Sequence, residues 1–242
     1  MVILAIVLGI LPGFAWLLFY LKEDLHPEPK KLIAATFFAG ATVTLVALAF
    51  QCFTFQNVFG FNSCGIRLEN AVSSLSLFKG IYLIIALALI EEVLKFGAAY
   101  FAVNKNPNLN EPVDAMIYMV VAALGFATVE NLAVAVSAIN STGGTDFGTL
   151  IEMFRSISFR FIGATLLHTL ASGLAGYYWA ISIREFGKKS LILWGIGIAT
   201  ALHATFNYLI IKFDDRFYLI VLLLVVGFLV ITDFEKLKRK SI

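Results

Sequence analysis

From Phe78 to Ala102 the chain is mostly apolar and long enough to cross a bilayer, yet Glu91, Glu92 and Lys95 stand near the middle of this stretch. A charged side chain at the centre of a membrane helix costs about 2.5 to 3.5 kcal/mol on insertion scales, so such groups face a bundle interior or a water-filled cavity. Three of them on adjoining turns mean that this helix is surrounded by others and that its surroundings are polar. A lone membrane anchor does not meet that demand.

The remainder of the sequence supplies the surrounding helices. Hydrophobic residues make up 60% of the chain and charged residues 14%, against about 45 to 50% and 25% in soluble domains. At about 20 residues per span, hydropathy predicts seven spans near residues 2–21, 32–53, 77–103, 115–139, 157–183, 190–211 and 217–233. The expected fold class is all-α, a polytopic membrane helix bundle of about seven transmembrane helices around a buried polar active-site cavity. It forms a single integral-membrane domain over residues 1–242, with no room for a separate soluble domain. The first segment lacks a basic leader and a small-residue cleavage site, so it reads as a retained span. The composition makes the lipid bilayer a partner, and a net charge of +2, with the basic residues scattered between the spans and the tail, argues neither for nucleic acid nor for an acidic partner.

Breaks are predicted at His26-Pro27-Glu28-Pro29-Lys30, Asn104-Lys105-Asn106-Pro107 and Ser141-Thr142-Gly143-Gly144. The basic residues between spans divide unevenly. One set holds eleven, namely Lys22, Lys30, Lys31, Lys105, Arg184, Lys188, Lys189, Lys236, Lys238, Arg239 and Lys240; the other holds six, Arg67, Lys79, Arg155, Arg160, Lys212 and Arg216. The positive-inside rule places the first set in the cytoplasm of a multi-pass cell-membrane protein, with the N-terminus outside and the C-terminus inside. Cys52 and Cys64 then both face the oxidising side, either as a disulfide or as two free thiols. Arg155 and Arg160 are expected to snorkel at the outer interface.

Four spans carry polar positions four residues apart, and so on one helical face: Glu91 with Lys95, Phe126 with Glu130, His168 with Ser172, and His203 with Asn207. Glu130, His168 and His203 lie roughly 12 to 15 Å below the outer ends of their spans, which suggests a cavity reached from outside. The adjacent carboxylates of Glu91 and Glu92 suit general-base chemistry, one facing the cavity and the other a neighbouring helix or Lys95. His168 and His203, with Glu130, can form a three-ligand metal site or hydrogen-bond donors around an oxyanion. Asn207 can hold a carbonyl oxygen or orient an imidazole.

Taken in order, Glu91-Glu92-Val93-Leu94-Lys95, Phe126 to Glu130-Asn131, His168 to Ser172-Gly173 and His203 to Asn207 resemble the motifs of the PrsW family of intramembrane proteases. The stretch Leu21-Lys22-Glu23-Asp24 with Pro27-Glu28-Pro29 resembles that family as well, so the likeness covers most of the chain. PrsW is similar in turn to the CAAX prenyl endopeptidase and bacteriocin-processing superfamily. Glu130 stands where the wider superfamily has its first histidine, which fits the PrsW branch and argues against prenylated substrates. The resemblance implies cleavage of a single-span membrane protein, typically the first, extracytoplasmic cut in an anti-sigma factor.

On this reading Glu91 activates water, Glu92 supports it, His168, His203 and Asn207 stabilise the oxyanion or bind a metal, and Glu130 is a third polar ligand or the proton donor to the leaving amine. Zinc on His168, His203 and Glu130 and a metal-free glutamate mechanism both satisfy the pattern. The rival classes are a transporter or proton pathway, against which the absence of an internal repeat counts, and a non-catalytic membrane assembly factor.

Overall fold

A computed structural model describes residues 1–24, 26–64, 67–142, 147–185, 187–213 and 216–238. Gly143 and Gly144 of the third predicted break, and Arg239 and Lys240 of the basic set, lie outside the described residues. The described residues contain helices and no strand: α1 (Val2–Tyr20), α2 (Lys30–Phe53) prolonged by a π-helical turn (Thr54–Val58), α3 (Leu68–Ser74), α4 (Leu77–Val103), α5 (Pro112–Thr142), α6 (Phe147–Ile162), α7 (Ala164–Arg184), α8 (Lys189–Lys212) and α9 (Phe217–Lys238). Six helical stretches among them are long and apolar enough to cross a membrane, α6 and α7 together counting as one. The 27-residue α4 is long enough as well, and it is the helix that carries Glu91, Glu92 and Lys95.

The bundle is organised around α5. Every residue from Val113 to Thr128 is buried, as expected for a helix that is apolar on all sides and enclosed by others. Around it pack α1, α2, α4, α6, α7 and α9. The tightest crossing is with α2, where a Cβ added at Gly40 would lie 1.9 Å from the Ala122 carbonyl oxygen, and one at Gly125 would lie 1.9 Å from that of Phe37. In lipid, where no hydrophobic drive holds helices together, such close backbone approach supplies the packing attraction. Further along α5, the Phe126 carbonyl lies 3.4 Å from Thr44 Oγ1 of α2.

Three boundaries differ from those the hydropathy predicts. The fifth span begins at Phe147 as a separate amphipathic helix and breaks at Gly163, whose φ of −106° and ψ of −94° leave the helical region. The Phe159 carbonyl oxygen lies 2.7 Å from where a Cβ would stand on Gly163, so a larger residue does not fit the break. The Phe161 carbonyl just before it accepts from the Trp16 indole at 2.9 Å, tying α1 to this point. The last helix runs on to Lys238, because its final turns are amphipathic and Lys238 bridges to Glu23 at 2.5 Å. The short α3 lies in what reads from hydropathy as loop.

At the basic end, the Asp24 carboxylate accepts the backbone N–H groups of His26 and Glu28, both at 3.0 Å, closing the proline-stiffened turn before α2. His26 pairs with Glu111 at 2.7 Å, and the Tyr118 hydroxyl donates to Glu28 Oε2. Burial raises the Asp24 and Glu28 carboxyls above the ordinary carboxylate range, only partly offset for Glu28 by the Tyr118 bond. Raised carboxyls contribute stability that is present in acid and lost as pH rises through their folded-state values. Glu28→Gln keeps the shape without the ionisation. It is expected to raise the thermal unfolding midpoint in detergent at about pH 8 and to lose that advantage near about pH 4. Gly40→Val and Gly125→Val are expected to destabilise the bundle by at least about 1 to 3 kcal/mol through overpacking, read from the same melts.

Candidate active site

Four helices bring the polar positions together. Glu91, Glu92 and Lys95 come from α4, Phe126, Glu130 and Asn131 from α5, His168 and Ser172 from α7, and His203 and Asn207 from α8. At the centre lies Lys95, 0% exposed, with Glu92, His168 and His203 all at 3% or less. Its ammonium donates to Glu92 Oε1 and to His168 Nδ1, each at 2.7 Å, lies 3.6 Å from Glu91 Oε2, and stands 4.7 Å from the centre of the Phe126 ring. The close ion pair is therefore with Glu92, one turn away at i,i+3, and the Glu91 contact is longer. Phe126 contributes the electron-rich face of its ring to the same cation.

These contacts set the direction in which each imidazole donates. An ammonium only donates, so His168 Nδ1 accepts and its proton sits on Nε2, which donates to Glu130 Oε2 at 2.9 Å. A carboxylate only accepts, so His203 donates from Nδ1 to Glu92 Oε1 at 2.8 Å, and its Nε2 lies 3.8 Å from Glu91 Oε2. The rings meet edge to face with centroids 5.1 Å apart. Glu92 thus holds Lys95 and His203 through one oxygen. Glu91 Oε2, Glu92 Oε2 and Ser172 Oγ are buried and have no hydrogen-bond partner among the described residues.

Two side chains outside the predicted set complete the cluster. The Gln51 amide, near the end of α2, donates to Glu91 Oε1 at 2.9 Å. Arg160, expected to snorkel outward, instead turns inward: Nη2 donates to Glu130 Oε2 at 2.9 Å and Nε to Asn131 Oδ1 at 2.5 Å. The cost of leaving the buried Asn131 and the Glu130 carboxylate without partners explains the direction. Arg155, one and a half turns earlier, is exposed. Asn131 in turn donates to Thr165 Oγ1 at 3.0 Å. Gln51 could have been suspected as an amide within an apolar run; Arg160 carries no comparable signal, because its position in the span reads as interfacial.

Burial is uneven across the cluster. The side chains of Glu130 and Arg160 are 28% and 21% exposed, and Gln51 and Asn207 are half-buried, so the site opens toward the end of the bundle that carries Arg160 and the Cys52–Cys64 disulfide. Of the two alternatives for those cysteines, the structure has the bridge. Asn207 makes no side-chain hydrogen bond among the described residues.

The donor set fits a metal ion in its chemistry. Glu91, His168 and His203 each offer a ligand atom within 4.8 Å of the others, a carboxylate and two imidazoles being a known catalytic zinc set. Among the described residues Glu91 Oε2 and His203 Nε2 carry no hydrogen bond, whereas both His168 nitrogens are engaged. Glu130, expected beside the two histidines as third ligand, accepts from His168 and Arg160, and Glu91 stands in the ligand-capable group.

Comparison with known proteins places the chain in a family. The model of the PrsW family intramembrane metalloproteases matches residues 28–232. The chain is 26% identical to Protease PrsW of Geobacillus kaustophilus over 84% of its own length and 78% of the relative's. It is 25% identical to Protease PrsW of Bacillus subtilis, over 87% of the chain and 84% of the relative. No solved structure matches significantly. With the family model running from the loop before α2 almost to the end of α9, the chain belongs to the PrsW family and is a membrane-embedded peptide hydrolase.

Proposed function

We propose that the chain cleaves a single-span membrane protein by attack of water activated at Glu91. The observation that carries this reading is a buried carboxylate oxygen, Glu91 Oε2, without a hydrogen-bond partner among the described residues and 3.8 Å from His203 Nε2. One water about 2.8 Å from each atom would bridge them and be poised to give a proton to the Glu91 carboxylate. Glu91 takes its proton as the oxygen attacks the scissile carbonyl. His203, held at Nδ1 by Glu92, offers Nε2 as the site through which that proton reaches the leaving amine.

Glu130 supports the reaction through His168. Its contacts with both His168 and Arg160 keep the imidazole oriented, which favours a supporting role over proton donation to the leaving group. Asn207, one turn beyond His203 and without a side-chain partner among the described residues, supplies N–H donors for the oxyanion. Lys95 balances the charge of Glu92 and keeps the Glu91 carboxylate compensated in a medium where bare charge is costly. Where a metal is bound, Glu91, His168 and His203 would hold it, and it would polarise the carbonyl and acidify water.

The substrate class follows from where the site opens. The half-exposed rim of Gln51, Glu130, Arg160 and Asn207 lies away from the more basic end, which the positive-inside rule assigns to the cytoplasm. With the N-terminus outside and the C-terminus inside, the cut falls on the extracytoplasmic side of a membrane-anchored protein. An anti-sigma factor is the substrate that the family resemblance favours.

The test is cleavage, in reconstituted membranes, of a panel of single-span proteins with short extracytoplasmic domains. Glu91→Gln is expected to abolish cleavage, with a loss of about a thousandfold or more from removing the base together with its neighbours' alignment. Retained cleavage by the variant would overturn the assignment. Lys95→Met, which leaves buried carboxylates uncompensated, is expected to lower stability by about 3 to 5 kcal/mol, measured by denaturant unfolding in detergent.

A further inference from the structure

The Glu91 carboxylate is oriented from outside the four motif-bearing helices. Gln51 Nε2 donates to Glu91 Oε1 at 2.9 Å, and no other hydrogen bond reaches that oxygen among the described residues. A carboxylate held by one oxygen has its other oxygen aimed by the same bond. In this case the aimed atom is Oε2, which lies 3.8 Å from His203 Nε2 and 3.6 Å from Lys95 Nζ. Without the Gln51 amide, the carboxylate is free to rotate about its last bond and to close on Lys95, taking its free oxygen out of line with His203.

The helix turn that carries Gln51 has little packing of its own. Leu48, Phe50 and Phe53 are exposed toward lipid, and the nearest polar tie to α5 is the long contact of Thr44 Oγ1 with the Phe126 carbonyl at 3.4 Å. Two constraints hold the turn in place. Cys52, the next residue, is bridged to Cys64 across 12 residues of sequence. Between them Phe55 is buried in a cluster with Val72, Ile84, Leu87 and Ala204, so the segment is anchored against α3, α4 and α8 beside the site.

We propose that Gln51 is a positioning residue that aims the Glu91 carboxylate, and that the Cys52–Cys64 bridge holds the helix end that presents it. The proposal rests on the reading of Glu91 as the base. It makes the oxidised state of two cysteines outside the reacting cluster a condition of full activity, because the bridge secures the donor and not the substrate.

Cleavage of a single-span substrate by the full chain in proteoliposomes tests it, with Gln51→Met, which keeps the length and loses the donor, and Gln51→Ala as a second variant. Both are expected to lower kcat about 10- to 100-fold, the effect of one hydrogen bond to a charged group. KM is expected to stay within about twofold, and the thermal unfolding midpoint is expected to match the wild type. The Cys52→Ala/Cys64→Ala variant is expected to lower kcat in the same direction, and to have less than about a twofold further effect in the Gln51→Met background, since the group it secures is already gone. A kcat retained in both Gln51 variants, or a raised KM at unchanged kcat, overturns the positioning role. Independent, multiplicative losses overturn the role of the bridge. Glu91→Gln run in parallel separates the two readings: if it still cleaves, the assignment of the base fails, and if it is inactive while Gln51→Met is fully active, only the present proposal does.

Discussion

Everything in the centre of this bundle is arranged around one ammonium group that has no access to water. Lys95 Nζ touches Glu92, His168 and the Phe126 ring, and Glu91 lies just beyond hydrogen-bond range. A buried cation of this kind is tolerated only if opposite charge and acceptors surround it, and here those partners come from three different helices. The ion pair therefore acts as a meeting point for α4, α5 and α7. Through Glu92 it also brings in His203 and α8.

The same cation assigns chemical roles to groups that would otherwise be interchangeable. Because it occupies His168 Nδ1, that imidazole donates from Nε2 and binds Glu130. Because it shares Glu92 Oε1 with His203, the second imidazole has its Nε2 on the side of Glu91. Two histidines of similar depth thus differ in their contacts: among the described residues one is engaged at both nitrogens, and the other has no hydrogen bond at Nε2, which stands beside Glu91 Oε2.

Much of this was legible in the residues. The composition demanded a membrane bundle, and the four polar pairs at helical spacing indicated which faces turn inward. Other features were not legible, for identifiable reasons. Arg160 reads as interfacial because hydropathy knows its distance from the span end and not the unsatisfied Asn131 and Glu130 opposite it. Glu130 looks like a ligand partner of the histidines because depth alone does not distinguish it from Glu91. The break at Gly163 is hidden in an apolar run, since a glycine in a helix signals a break only when a neighbouring carbonyl excludes Cβ. Gln51 lies on a helix with no other motif, and its role depends on how close α2 comes to α4.

By itself, then, the sequence determined that the chain spans the membrane many times and that ionisable groups must gather inside it, because the cost of exposing charge and backbone to lipid leaves no other arrangement. Periodicity further specified the helical faces, since positions four apart share one side. Which oxygen of Glu91 is held, which nitrogen of each histidine is free, whether Cys52 and Cys64 meet, and which cation faces which carboxylate were decided only by the tertiary structure. Those outcomes depend on distances of a few ångströms between helices far apart in sequence, set by close crossings such as Gly40 with Ala122, and no local pattern records them.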